Sequence, residues 1–226
     1  MLKRAGRYLV LAVILSALPV LMLRWIAPGF SAFMLEDRLS AWFDGRWEHR
    51  LVHVWRDLDS ISTPARLAVI ASEDQLFARH AGFDFNAISK AIASNLDGRR
   101  IRGASTISQQ TAKNLFLSRS RSWLRKGLEA YFTLWLELLL PKRRILEIYL
   151  NVAQFGDGLY GIEAAARHYF KKTASSLDTK EAALLAASLP NPLAFKPDHP
   201  SAYMIKRRNW IMDQMRRLGP LEIERI

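Results

Sequence analysis

The 226 residues include no cysteine. No disulfide framework and no thiolate metal site can form, and redox chemistry says nothing about the compartment. Strand-like alternation of apolar and polar residues is almost missing, so the chain is expected to be helical. Internal repeats and low-complexity linkers are also absent, so nothing divides the part that follows the N-terminal segment. Acidic residues are few beside basic ones, 21 against 33, giving a net charge of +12 and an isoelectric point near 10.3. That surplus implies an anionic partner: nucleic acid, phospholipid headgroups or a phosphorylated substrate. Half of the residues are hydrophobic, which rules out a disordered tail. The length suffices for one domain with a real core plus an extra segment.

The one long apolar run lies near the N-terminus. Lys3, Arg4 and Arg7 precede an uncharged stretch from Tyr8 to Leu23, and Arg24, Trp25 and Pro28 follow it. A spanning helix needs roughly 20 apolar residues. The stretch reaches that length if Arg24 snorkels and residues 25–30 lie at the interface. The competing assignment, a cleaved signal peptide, lacks a small-x-small cleavage pattern before a polar start. The basic residues place the N-terminus in the cytoplasm and the rest of the chain outside, in a periplasm-like space. The expected organisation is a cytoplasmic N-terminus (1–7), an anchor (8–28), a membrane-proximal connector (29–63) and one mostly α domain (64–226). The connector carries Phe33, Trp42, Phe43, Trp47 and Trp55. It is either a segment lying against the bilayer or a first amphipathic helix packed on the domain.

Helical periodicity predicts segments over 64–79, 88–96, 106–117, 123–140, 143–150, 162–170, 180–189 and 201–218. Thr63 is expected to cap the first of these, with Pro64 in its first turn. The run LWLELLL at 134–140 is too short to span and is expected to be the buried centre of the domain.

Four stretches carry candidate chemistry. In ASEDQLFARHAGFD, at 71–84, Glu73, Phe77 and His80 share one face at helical spacing, with Asp74 beside Glu73 and Gly82 breaking the pattern. Glu73 is a general-base candidate there. In GASTISQQTAKN, at 103–114, Thr106 and Gln109 form a capping box, so a helix starts at this point. Its free N–H groups and dipole favour phosphate. Gln110, Lys113 and Asn114 project from the same helix, beside the loop 97–103 with its three arginines. They are either a holder for sugar hydroxyls and phosphate or a solvated polar side. In RSWLRKGLE, at 121–129, Arg125 and Lys126 precede Glu129 by four and three residues, and Glu129 opens an uncharged run. A carboxylate at the edge of a buried helix has a partner or a task, here metal coordination or the organisation of charge around a phosphate. In KRRILEIYLNVAQFGDGLY, at 142–160, Glu147 and Asn151 are expected to organise hydrogen bonds. His49, His53, His168 and His199 show no ligand spacing and are read as surface or packing residues.

Together and in this order, these stretches resemble the peptidoglycan glycosyltransferase family, which includes the transglycosylase domains of bifunctional penicillin-binding proteins. The pattern E-D-x-x-F-x-x-H-x-G falls on Glu73, Asp74, Phe77, His80 and Gly82. G-x-S-T-I-x-Q-Q-x-x-K-N falls on Gly103, Ser105, Thr106, Ile107, Gln109, Gln110, Lys113 and Asn114. R-K-x-x-E falls on Arg125, Lys126 and Glu129, and I-L-E-x-Y-L-N runs from Ile145 to Asn151. No transpeptidase domain is expected in this length, so the resemblance is to a monofunctional, single-span form.

The resemblance implies a lysozyme-like helical domain in the inner membrane, periplasmic side, that joins a lipid-pyrophosphate-linked glycan chain to the GlcNAc 4-hydroxyl of lipid II. Inversion would give a β-1,4 bond. Glu73 would be the catalytic base, with Asp74 an orienting or auxiliary acid. Lys113, Arg121, Arg125 and Lys126 would meet the pyrophosphate. Ser105, Gln109, Gln110 and Asn114 would line the sugar and phosphate subsites. Glu129, the second catalytic carboxylate, would hold a divalent cation, Mg or Mn, or keep those bases in register. No nucleotide is implied, in agreement with the missing Gly-rich loop, and no nucleic-acid motif is present. Partners would be lipid II, the lipid-linked chain, the phospholipid membrane, and cell-wall synthesis or division proteins. The alternative is a membrane-anchored, lysozyme-like lytic enzyme on the same polymer, whose glutamate would act as a general acid.

Overall fold

A computed structural model describes residues 2–96, 105–219 and 221–226. The basic loop 97–103 and Gly103 lie outside the described residues. The structure is mostly helical, in the order α1 (Leu2–Met22), α2 (Ala32–Phe43), β1 (Val52–His53), α3 (Thr63–Glu73), α4 (Phe85–Leu96), α5 (Ile107–Phe116), α6 (Trp123–Leu139), α7 (Lys142–Val152), β2 (Gln154–Gly156), β3 (Leu159–Tyr160), α8 (Ile162–Phe170), α9 (Thr179–Ser188), α10 (Ala202–Leu218) and α11 (Leu221–Glu224).

Two helix groups meet at the core. α3 packs against α9 and α10, while α5 lies against α6 and α7. α7 forms much of the interior: Ile145, Leu146, Ile148, Tyr149 and Leu150 are all buried, as are Leu67 to Ala71 of α3. Burial on this scale, at about 25 cal/mol per Å² of apolar surface, is what holds the two groups together.

Most helix boundaries fall within two residues of the periodicity. The first helix does not. The side chain of Ser62, not Thr63, accepts from the Ala65 N–H and caps α3, which puts Pro64 inside the first turn. α3 then stops at Glu73 instead of continuing to 79, because Asp74 leaves helical geometry at φ −161°. Glu73, Phe77 and His80 therefore do not share a helical face. Phe77 is buried in the core, and His80 turns back onto Asp74.

The domain is not wholly helical. A three-stranded sheet in the order β1-β3-β2 pairs Val52 with Leu159 in parallel, and β2 antiparallel to β3. Strands of two or three residues are too short to show alternation, so the sequence carries no sign of them. Through β1 the connector is joined to the body. α2 adds to this, burying Met34, Asp37 and Ala41 while Leu35, Leu39, Trp42 and Phe43 stay exposed.

The run 134–140 is not uniformly buried. α6 is amphipathic: Glu129, Thr133, Leu136 and Leu140 point inward, whereas Leu128, Leu134 and Leu138 are exposed. α1 packs against α6. Val20 is fully buried there, the Ser16 and Tyr131 hydroxyls are 2.5 Å apart, and Arg24 donates to the Leu139 carbonyl. α1 ends at Met22, six residues short of the expected anchor boundary. Among the described residues, no helix is long and apolar enough to cross a membrane.

Candidate active site

Glu73 ends α3 at the junction with α5 and α10. Its carboxylate accepts from Ser72 Oγ at 2.9 Å and from Gln110 Nε2 at 3.0 Å. Arg207 Nη2, on α10, lies 3.8 Å from Glu73 Oε1 and donates to Ser72 Oγ at 3.1 Å. The Tyr149 hydroxyl donates to Gln110 Oε1 at 3.1 Å. Burial, followed by the charges of Glu73 and Asp74, pushes the Tyr149 phenol well above its ordinary range, so it stays a donor. One buried phenol thus orients an amide, and the amide orients a carboxylate.

Asp74 faces the other way. Its oxygens lie 2.9 and 3.0 Å from His80 Nε2, and Oδ2 accepts from the Ile107 N–H at 2.9 Å. Thr106 and Gln109 form the capping box read from the sequence, and Thr106 Oγ1 also donates to the Gly82 carbonyl at 2.6 Å. The Ile107 and Gln109 N–H groups at the start of α5 are therefore held by Asp74 and Thr106, and a phosphate would have to displace these side chains to reach them. This differs from the expectation of a free helix N-terminus. Gly82 has φ +87°, and a Cβ there would lie 2.8 Å from Thr133 Cγ2. Only glycine lets this turn close against α6.

The second carboxylate is buried on α6. Glu129 is 2% exposed. Arg125 Nη1 donates to its Oε2 at 2.6 Å, and Lys126 pairs with Oε1. Lys126 Nζ also lies 3.5 Å from Ser105 Oγ. With both oxygens facing cations, Glu129 offers no ready position for a divalent ion. One carboxylate crowded by two bases is a poor donor set for a divalent cation.

Lys113 lies within electrostatic reach of both carboxylates. Burial lowers its pKa; Glu129 pulls it back up, Arg125 and Lys126 lower it, and Glu73 raises it. Its ammonium also stands 5.7 Å from the Phe33 ring centre. Asn114 is buried on the same helix, and Arg121 is exposed on the turn between α5 and α6.

The fold thus joins Glu73 with Gln110, and Ser105 with Arg125, Lys126 and Glu129. Gln109 and Asp74 serve the helix start. Glu147 and Asn151 bind the 56–58 segment, with Asn151 exchanging bonds of 2.8 Å with the Arg56 backbone. Sequence reading missed Ser72, Arg207 and Tyr149 at Glu73. Arg207 belongs to a distant helix and has no fixed spacing from Glu73, whereas Tyr149 lies inside a motif but reads as plain core.

A family profile described as Transglycosylase matches residues 40–216. A biosynthetic peptidoglycan transglycosylase of Cronobacter sakazakii is 53% identical over 219 residues, which cover 96% of this chain and 91% of the relative. One from Pseudomonas syringae is 52% identical, covering 90% and 86% of the two chains. One from Shewanella oneidensis is 51% identical, covering 93% and 89%.

Proposed function

The chain belongs to the transglycosylase family, and from that membership and the geometry at Glu73 we infer that it is a peptidoglycan glycosyltransferase that polymerises glycan chains. The observation that carries this is a carboxylate at the end of α3 fixed by Ser72 and by Gln110 of α5, with Lys113 on that same α5 and the Arg125–Lys126–Glu129 group on the adjoining α6.

The chemistry follows from what each group can do. A sugar hydroxyl is a weak nucleophile near neutral pH, so a positioned base must take its proton as the new bond forms. Glu73 takes that proton from the 4-hydroxyl of the lipid II GlcNAc. The hydroxyl oxygen attacks the anomeric carbon of the growing chain from the side opposite the pyrophosphate, and the α-linked donor gives a β-1,4 product. Negative charge grows on the departing polyprenyl pyrophosphate. Lys113, Arg121, Arg125 and Lys126 neutralise it. Glu129 keeps Arg125 and Lys126 in register, and Ser105, Gln110 and Asn114 line the sugars. Asp74 and Gln109 act through α5 as positioning residues. We read the helical body as lysozyme-like in architecture.

The exposed apolar faces of α1 and α6, with Trp25, Trp42 and Trp47, support attachment to a membrane; Lys3, Arg4 and Arg7 ahead of the apolar run favour the inner membrane with the catalytic domain on its periplasmic side. Substrate and enzyme then meet in two dimensions at raised effective concentration. Purified protein supplied with lipid II should build polymer; shortening of preformed glycan without growth would favour the lytic reaction instead. Protease treatment of spheroplasts should remove a C-terminal tag, and a protected tag would reverse the proposed orientation.

A further inference from the structure

Away from Glu73 and Glu129, the connector folds back on the small sheet and traps His49. The imidazole side chain is 9% exposed, and Nε2 lies 3.8 Å from Asp37 Oδ2. That separation is beyond hydrogen-bond range, and among the described residues this nitrogen has no hydrogen-bond partner. A buried imidazole nitrogen without a partner is costly unless something else satisfies it. Asp157, on the turn between β2 and β3, closes the third side. The ligand atoms of Asp37, His49 and Asp157 all lie within 4.8 Å of one another.

The surroundings fit a built site. Asp37 is 11% exposed at its side chain and accepts from the Tyr160 hydroxyl at 3.0 Å, and Arg119 donates to the same hydroxyl at 2.7 Å. Those bonds fix one ligand oxygen from behind, as outer partners do around bound metals. Gly158 has φ +64°, and a Cβ there would lie 2.6 Å from the Arg50 carbonyl and 3.2 Å from His49 Nε2. The glycine therefore lets the turn sit directly on the ring. Asp157 itself is 62% exposed and can move inward. Its neighbour Arg46, 3.8 Å away and 47% exposed, can swing clear.

One imidazole and two carboxylates suit a first-row divalent ion, with zinc the best match among common ones. Tetrahedral zinc sets neighbouring ligand atoms about 3.3 Å apart, a modest contraction from the present cluster. We propose that Asp37, His49 and Asp157 form a divalent transition-metal site that clamps the connector to the β2–β3 turn. Two carboxylates neutralise the ion, and the lone pair of His49 Nε2 gains its partner. The site ties together three segments that chain distance keeps apart, which is why no ligand spacing shows in the sequence.

The full chain, purified in detergent without a polyhistidine tag and stripped with chelator, is titrated with Zn²⁺ by calorimetry, and its Tm is followed in parallel. One ion per chain and a rise in Tm are expected. Asp157→Asn changes an exposed turn and should fold normally, yet weaken zinc by at least about tenfold, the scale seen even for outer-shell changes. His49→Gln should lose the site, together with the visible absorption of a Co²⁺-loaded sample. Absence of zinc binding would overturn the assignment. So would binding of unchanged affinity in Asp157→Asn, which would place the ion elsewhere.

Discussion

Gln110 Nε2 donates to Glu73 Oε2 at 3.0 Å, while its own carbonyl oxygen is held by the Tyr149 hydroxyl at 3.1 Å. The amide can therefore face only one way. If catalysis depends on a fixed carboxylate, removing the phenol oxygen should loosen it without touching substrate. Tyr149→Phe should lower kcat by about two- to thirteenfold, the worth of one hydrogen bond of about 0.5–1.5 kcal/mol, and leave KM nearly unchanged. Steady-state polymerisation of lipid II measures both. A rise in KM with kcat intact would mean that Tyr149 acts through the contact of Gln110 with the sugars and not through Glu73.

Asp74 links the end of α3, the His80 ring and the start of α5. Asp74→Ala leaves the Ile107 N–H buried and unpaired. It should cost about 2 kcal/mol, read as a lower midpoint in urea unfolding of the detergent-solubilised protein. A stability equal to the parent, with activity lost, would assign Asp74 to substrate.

These two carboxylates show what a linear reading reaches. Their motif announces a site, and the Thr106–Gln109 box announces the start of α5, because caps are local and depend on residues three apart. The division of labour between Glu73 and Asp74 is not local. It depends on where α3 stops, and the helical periodicity runs straight through that point. Arg207 comes from α10 and His49 from the connector, and only packing brings each to its neighbours. The β-strands fail to show for a different reason: at two or three residues they hold too little pattern.

Glu163 gives the acid limb of stability. Burial opposes its ionisation, but Arg56, the Ala174 N–H and Arg167 outweigh this and hold its pKa at about 2, against an ordinary 4.5. The folded-state value is depressed, so its stabilisation is complete above pH 4.5 and is lost as pH falls towards 2. Tm measured across that window should fall steeply for the parent and less steeply for Glu163→Gln, which starts lower. Parallel curves would remove Glu163 as the source.

Lys113 sets an alkaline limit. Its burial lowers the pKa below that of a free lysine, so the charge that meets pyrophosphate is lost at a lower pH than ordinary lysine chemistry gives. The affinity for lipid II should decline on that limb, and Lys113→Arg should move the decline upward because arginine stays charged. An identical profile in both proteins would show that Lys113 does not meet the pyrophosphate.

Glu73 takes the proton of the attacking hydroxyl in this mechanism. The most direct measurement is single-turnover extension of a lipid-linked glycan by Glu73→Gln, with lipid II binding followed in the same preparation. Glutamine keeps the size of the side chain and can still pair with its neighbours, but it cannot act as a base. Glycan extension should fall by at least about a hundredfold, the lower range for general-base catalysis, while binding and Tm stay within the parent range. Extension at near-parental rate by a folded, lipid II-binding Glu73→Gln enzyme would contradict the assignment.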